Sequence, residues 1–182
     1  DDELDAAKMA VVKANGIVDG YVRAFAWRGS EMMAISAQHT TTHVAIAAWE
    51  WPSYFDPEVK MKGITLDISD WKRPSPESAP VNAKAAGLYM ICTLSKHAAE
   101  KKGFQDALML DYRGYIAEAT GANVFFVDGE GTIHTPVADC FLDGITRRTV
   151  IALAESMQIK VVQRHLTLHD LSDMTCLLYT SP

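Results

Sequence analysis

Between residues 106 and 135 the chain breaks into four short apolar runs, 106–111, 115–118, 123–128 and 132–135. Arg113-Gly114 and Asp128-Gly129-Glu130-Gly131 supply turns between them. Runs this short, bounded by residues that accept turn geometry, read as hairpin-linked strands. This stretch commits the second half of the chain to a β-rich architecture. Helical patterns surround it, at residues 1 to about 15, from Asn82 to Lys102, from Thr146 to Met157 and, briefly, at 167–173. Asn82 is placed to cap the second of these and Gly103 to end it. Further strands are expected at 21–27, 43–51, 63–69, 159–164 and 175–179, that at 43–51 buried on both faces. Nothing repeats at a fixed period.

Two stretches interrupt the pattern. Pro52, Asp56 and Pro57 make 49–60 the best linker in the chain, so a boundary falls near residue 50. Residues 72–80 carry prolines at Pro74, Pro76 and Pro80 and cannot be helix or central strand. A long loop of this kind in a compact domain is usually functional or disordered. The expected fold class is therefore α+β.

Composition narrows the function classes. The 182 residues are 48% apolar and 22% charged, enough to bury a sizeable core. A net charge of −6 argues against nucleic acid as the partner. No apolar run approaches the roughly 20 residues that cross a bilayer. No basic head or apolar h-region opens the chain, and cytoplasm is the expected location. The three cysteines, Cys92, Cys140 and Cys176, lie far apart and read as reduced thiols. His39 and His43 stand four apart in what reads as a loop entering a strand, without the acid of a metalloprotease helix, so no metal is expected. Gly129-x-Gly131 precedes a strand and is a hairpin turn rather than a dinucleotide loop.

Three local signals carry chemistry, and each has a plain structural alternative. Lys84 is the only charged side chain between Glu77 and Lys96, among small residues that leave it room. A desolvated lysine is a usable nucleophile, whereas one at a helix start simply snorkels. Glu118 ends an apolar strand ahead of Gly121. It is either enclosed, in which case it needs a cationic or hydrogen-bonding partner, or exposed at a strand end. Leu142-Asp143-Gly144-Ile145-Thr146 runs straight into a helix, whose free N–H groups suit a phosphate. The alternative there is an ordinary threonine N-cap.

Taken in order, these signals resemble a known family. Asn82-Ala-Lys84-Ala-Ala-Gly-Leu-Tyr89, then Glu118-Ala-Thr-Gly121-Ala-Asn123-Val-Phe, then Phe141-Leu-Asp-Gly-Ile-Thr-Arg147 resemble the fold type IV pyridoxal-phosphate enzymes. Within them the sequence is similar to the branched-chain amino acid aminotransferases, from about residue 17 to 175. The resemblance implies pyridoxal 5'-phosphate as cofactor and transamination of leucine, isoleucine and valine with 2-oxoglutarate. D-amino acid aminotransferase or aminodeoxychorismate lyase chemistry on the same scaffold is the alternative, as is a non-catalytic fragment.

The resemblance also implies roles. Lys84 matches the lysine that holds the cofactor covalently and moves the substrate proton. Tyr89 matches the tyrosine bonded to the cofactor's phenolic oxygen, and Glu118 the acid facing the pyridine nitrogen. Gly121 and Asn123 match the turn shaping that side of the pocket. Leu142, Gly144, Ile145 and Thr146 match the segment against the ring and phosphate. Tyr21 and Arg23 match a substrate-carboxylate strand, and Trp51 and Tyr54 the loop lining the side-chain pocket. The implied partners are amino acids and 2-oxo acids, in a homodimer. The implied domains are 1–48 as the later part of a small domain, 49–60 as an interdomain loop, and 61–182 as the first part of a large domain. Two departures imply a piece of a longer protein. The phosphate-binding arginine of the small domain has no counterpart, and after Cys176-Leu177-Leu178 the family's Thr-Gly-Thr-Ala loop is not matched.

Overall fold

The computed structural model describes residues 2–51 and 62–180. The chain divides into two compact units, Asp1–Met61 and Lys62–Pro182. The expected loop 49–60 lies, from residue 52 on, outside the described residues, and Tyr54 with it.

In the first unit, helix α1 (Asp2–Ala14) carries Asp2, Glu3 and Asp5 in its first turn and Lys13 in its last, each charge set against the macrodipole end that attracts it. It packs beside an antiparallel ribbon of β1 (Tyr21–Arg28) and β2 (Thr42–Trp49). The register Tyr21↔Trp49, Arg23↔Ala47, Phe25↔Ala45 and Trp27↔His43 sets one aromatic face. The expectation that the second strand is buried on both faces fails: β2 is exposed at its start and half-buried after it. A two-stranded ribbon has too little neighbouring structure to cover both faces.

The second unit holds two sheets. Strand β3 (Leu66–Ile68) pairs parallel with β4 (Asp106–Leu110), which pairs antiparallel with β5 (Ile116–Ala119). The four-stranded sheet has the order β8 (Val161–Gln163), β7 (Ile133–Thr135), β6 (Asn123–Asp128), β9 (Met174–Thr180). Helix α2 (Tyr89–Lys101) packs on β4, and α3 (Ile145–Ser156) on β8. Four-residue runs of buried positions in β4, β5 and β6 make the core, where Leu108, Ile116, Ala119, Ala122, Val124, Phe126 and Leu166 cluster. Full burial of a side chain the size of Phe126 stabilises by about 2–3 kcal/mol.

Helix α2 starts later than the sequence pattern predicts. Asn82 lies in a turn, Ala85 is extended at φ −97°, ψ 136°, and a 3-10 turn at Ala86–Leu88 precedes the helix. Asn82 therefore caps nothing, and Lys84 stands in open chain rather than in a helical turn. At the other end Gly103, with φ +88°, closes the helix as expected.

Candidate active site

Glu118 owes its position to an irregularity in β5. Met109 pairs with Glu118 but Leu110 with Ile116, so Ala117 is an extra residue in the ladder. Such a bulge bends its strand and re-aims the neighbouring side chain. All four residues of β5 are buried, and Glu118 is only 9% exposed. A carboxylate there needs compensation. It comes from Arg73, itself 4% exposed, whose Nε lies 3.2 Å from Glu118 Oε1. That nitrogen makes no hydrogen bond, so the contact is charge against charge. Burial pushes Glu118 up to about 8, although Arg73 first and Lys84 second pull it down. The site is short of positive charge.

Asn123, the first residue of β6 and 1% exposed, joins this acid to the start of α3. Its Nδ2 donates to Glu118 Oε2 at 3.3 Å and to the Leu142 carbonyl at 3.1 Å, and its Oδ1 accepts from the Gly144 N–H at 3.2 Å. Gly144, extended at φ −64°, ψ 148°, is the N-cap of α3, and no side chain caps the helix. The N–H groups at the helix start are therefore left for an anion. Arg147 fixes this end of the helix from inside. It donates to Asp143 Oδ1 at 2.7 Å, to the Pro136 carbonyl at 2.9 Å and to Gln163 Oε1 at 2.8 Å.

Two adjoining hollows meet at Leu142. A cleft of about 480 Å³ is lined by Asn82, Lys84, Leu142, Asp143, Gly144, Ile145 and Arg148. A pocket of about 30 Å³ is lined by Arg73, Leu88, Tyr89, Cys92, Glu118, Thr120, Gly121 and Leu142. Of the residues singled out in the sequence, Lys84, Leu142, Gly144 and Ile145 share the first, and Tyr89, Glu118, Gly121 and Leu142 the second. Thr146 is exposed in the first turn of α3. Lys84 is exposed as well, so of the two readings of this lysine the desolvated one is not what the chain presents.

In the first unit Tyr21, Arg23, Phe25 and Trp27 share a face as the alternation predicts. The Tyr21 ring lies 5.2 Å from that of Trp49 and 5.7 Å from that of Trp51, and Arg23 stands opposite Ala47, whose short side chain leaves it space. His43 stacks on Trp27 at 5.5 Å and pairs with Glu31 at 3.7 Å. Among the described residues, one cluster has metal-ligand chemistry, Asp111, Asp139 and Cys140. A guanidinium already occupies it, since Arg113 Nη2 reaches Asp111 Oδ2 at 2.7 Å and Asp139 Oδ1 at 2.8 Å.

Sequence reasoning missed Arg73. The signal was present: a buried acid demands a cation, and Lys72-Arg73 are the cations of the proline-rich loop.

The donor set suits a planar phosphorylated aldehyde with a basic ring nitrogen. There is a primary amine in a cleft, a helix start for the phosphate, and a buried carboxylate short of positive charge for a ring N–H. A Cβ added at Gly121 would meet nothing within 4 Å, so that wall stays open.

Residues 1–181 match the family model of class IV aminotransferases, and the chain belongs to that family. Pyridoxal 5'-phosphate is the cofactor of the class, and solved structures similar to this chain carry it or its amine form. Over 174 residues the chain is 41% identical to a probable branched-chain-amino-acid aminotransferase of Rickettsia conorii, covering 96% of this chain and 58% of that one. It is 36% identical over 166 residues to the branched-chain-amino-acid aminotransferase of Pseudomonas aeruginosa, covering 91% and 54%. The crystal structure of the Escherichia coli branched-chain amino acid aminotransferase superposes with a TM-score of 0.94 at 32% identity, over 99% of this chain and 60% of that one. The chain thus spans somewhat over half the length of the relatives it matches.

Proposed function

We propose that this chain is the cofactor-holding part of a transaminase that moves the amino group of leucine, isoleucine or valine to 2-oxoglutarate, giving the branched 2-oxo acid and glutamate. The observation that carries the proposal is the meeting of Lys84, the start of α3 and buried Glu118 around two adjoining hollows, with Asn123 bonded to both of the latter. When bound, pyridoxal phosphate supplies a sink for the electron pair left at the substrate Cα.

The chain's own residues do the rest. Lys84 Nζ would hold the cofactor covalently and, once displaced by the substrate amine, would take the proton from Cα and deliver it to the cofactor's C4′ carbon. Glu118 accepts the ring N–H and keeps that nitrogen positive, and Asn123 keeps the carboxylate in place. Tyr89 donates to the phenolic oxygen. Leu142 and Ile145 would lie against the ring, and the free N–H groups at the start of α3, from Ile145 and Thr146, would take the phosphate, with Gly144 allowing close approach. Gly121 leaves the ring wall open. Tyr21, Arg23, Trp51 and Tyr54 are assigned to substrate. Arg23 takes a carboxylate, and the aromatic rings suit branched side chains. The same reading takes the whole protein as a cytoplasmic homodimer whose partners are small amino acids and 2-oxo acids.

The test is borohydride reduction of the purified chain with pyridoxal phosphate, followed by peptide mapping. The label belongs on Lys84, and Lys84→Ala abolishes it. A label retained in Lys84→Ala removes the assignment. A single-turnover panel of L-leucine, D-alanine and aminodeoxychorismate then separates the branched-chain reading from the other chemistries of the scaffold.

A further inference from the structure

We infer that Arg73 is a positioning residue of this site: its guanidinium favours the ionised form of the Glu118 carboxylate against burial and ties it to the start of α2, where Tyr89 lies. The inference rests on the cofactor reading above.

Arg73 reaches its place through backbone pairing. Beyond β3 the chain continues alongside β4, with the Ser69 N–H on the Leu108 carbonyl at 2.9 Å and the Arg73 N–H on the Leu110 carbonyl at 2.8 Å. A parallel bridge to Asp111 sets Arg73 in register, and Pro74, which has no N–H, follows. The side chain then divides its contacts. Nη1 lies 3.4 Å from the Leu88 carbonyl and 3.4 Å from Cys92 Sγ, while Nε faces Glu118 at 3.2 Å.

Charge decides what this arrangement does. The groups around Glu118 are Arg73 from the β3 extension, Lys84 from the open chain before α2, Cys92 from α2 and Asn123 from β6. Asn123 is neutral. Burial pushes the Cys92 thiol up, so it too stays neutral and takes none of the guanidinium's charge. Lys84 is exposed and, in the proposed reaction, committed elsewhere. Arg73 is therefore the permanent cation of the acid. A buried guanidinium without an anion, or a buried carboxylate without a cation, costs several kcal/mol, so each requires the other. Arginine suits the task because its fork sends one nitrogen to the acid and another to the Leu88 carbonyl, which a lysine cannot do.

The two parts of the role separate experimentally. Arg73→Lys keeps the charge and loses the tie, and Arg73→Gln loses the charge. The full chain is isotopically labelled at the glutamate side-chain carboxyls, with the Glu118 signal assigned through Glu118→Gln. NMR titration then follows wild type and both variants, and circular dichroism checks that each is folded. In Arg73→Gln the Glu118 midpoint rises by about one to three pH units. In Arg73→Lys it returns to within about half a unit of wild type. With pyridoxal phosphate added, the pH profile of the bound-cofactor absorbance moves in Arg73→Gln and is restored in Arg73→Lys. An unmoved Glu118 midpoint in folded Arg73→Gln overturns the inference. Should that variant not fold, a midpoint in Arg73→Lys raised as far as about one unit overturns it instead. A wild-type chain that binds no cofactor sinks the functional reading, while the cofactor-free titration still decides whether Arg73 holds the acid.

Discussion

Replacing Asn123 with alanine tests whether the acid and the helix start are one construction. The side chain is 1% exposed and makes three hydrogen bonds, to Glu118, Leu142 and Gly144. Two are to neutral backbone groups and one is to a carboxylate. Alanine leaves the buried Gly144 N–H and the Leu142 carbonyl without this partner. An orphaned buried group costs about 1–3 kcal/mol, and a neutral bond contributes about 1 kcal/mol net. The sum for Asn123→Ala is about 3 kcal/mol. With a urea slope of about 1.5 kcal/mol/M, the unfolding midpoint falls by about 2 M. Asn123→Asp sharpens the test. It keeps an acceptor for Gly144 but sets a second carboxylate where the amide stood, 3.3 Å from Glu118. Its midpoint is lower at pH 8 than at pH 5, because the pair of carboxyls holds a proton more tightly in the folded chain than in the unfolded one. Urea melts at pH 5 and pH 8 measure both effects. An Asn123→Ala midpoint within about 0.3 M of wild type would refute the claim that these bonds hold the site together.

Other outcomes follow from single contacts. The folded-state pKa of Glu118 is raised to about 8, above the usual carboxylate value, so the folded form binds that proton more tightly than the unfolded one. Its stabilising effect is full below the unfolded pKa and is lost as pH rises towards 8. The cofactor-free chain is therefore less stable at pH 8 than at pH 5, and Glu118→Gln flattens that part of the profile in urea melts. Arg113→Ala strips the cation from Asp111, which is 3% exposed, though the Arg113 and Tyr115 backbone N–H groups still reach it. A loss of about 2 kcal/mol in chemical denaturation is expected. Gly103→Ala meets no steric neighbour within 4 Å, so its cost is that of φ +88° alone, about 1 kcal/mol in the same assay.

The hairpin-linked strands at 106–135 were legible because they depend on local information: short apolar runs, turn residues and a stop at Gly103. Helix α1 and the face shared by Tyr21 and Arg23 follow from periodicity in the same way. The start of α2 was not legible. Asn82 to Leu88 has good helix composition, yet the chain there is extended at Ala85 and then tightens into a 3-10 turn, with Lys84 in the opening. Tertiary packing overrides weak propensity in such stretches. The burial of β2 was misread because an apolar run indicates that cover is wanted and does not say whether it is present.

By itself the sequence determined the order of the chemical parts: the lysine, the acid, and the phosphate-suited helix start. It also determined the α+β class, since turn residues and periodicity act over a few positions. Only the tertiary structure decided how the parts are joined. The bulge at Ala117 re-aims Glu118, Asn123 links that acid to Gly144, and Arg73 arrives from a proline-rich loop to meet a carboxylate far along the chain. A buried acid announces in the sequence that it needs a cation, but which cation arrives depends on strand register, and register is a property of paired chains.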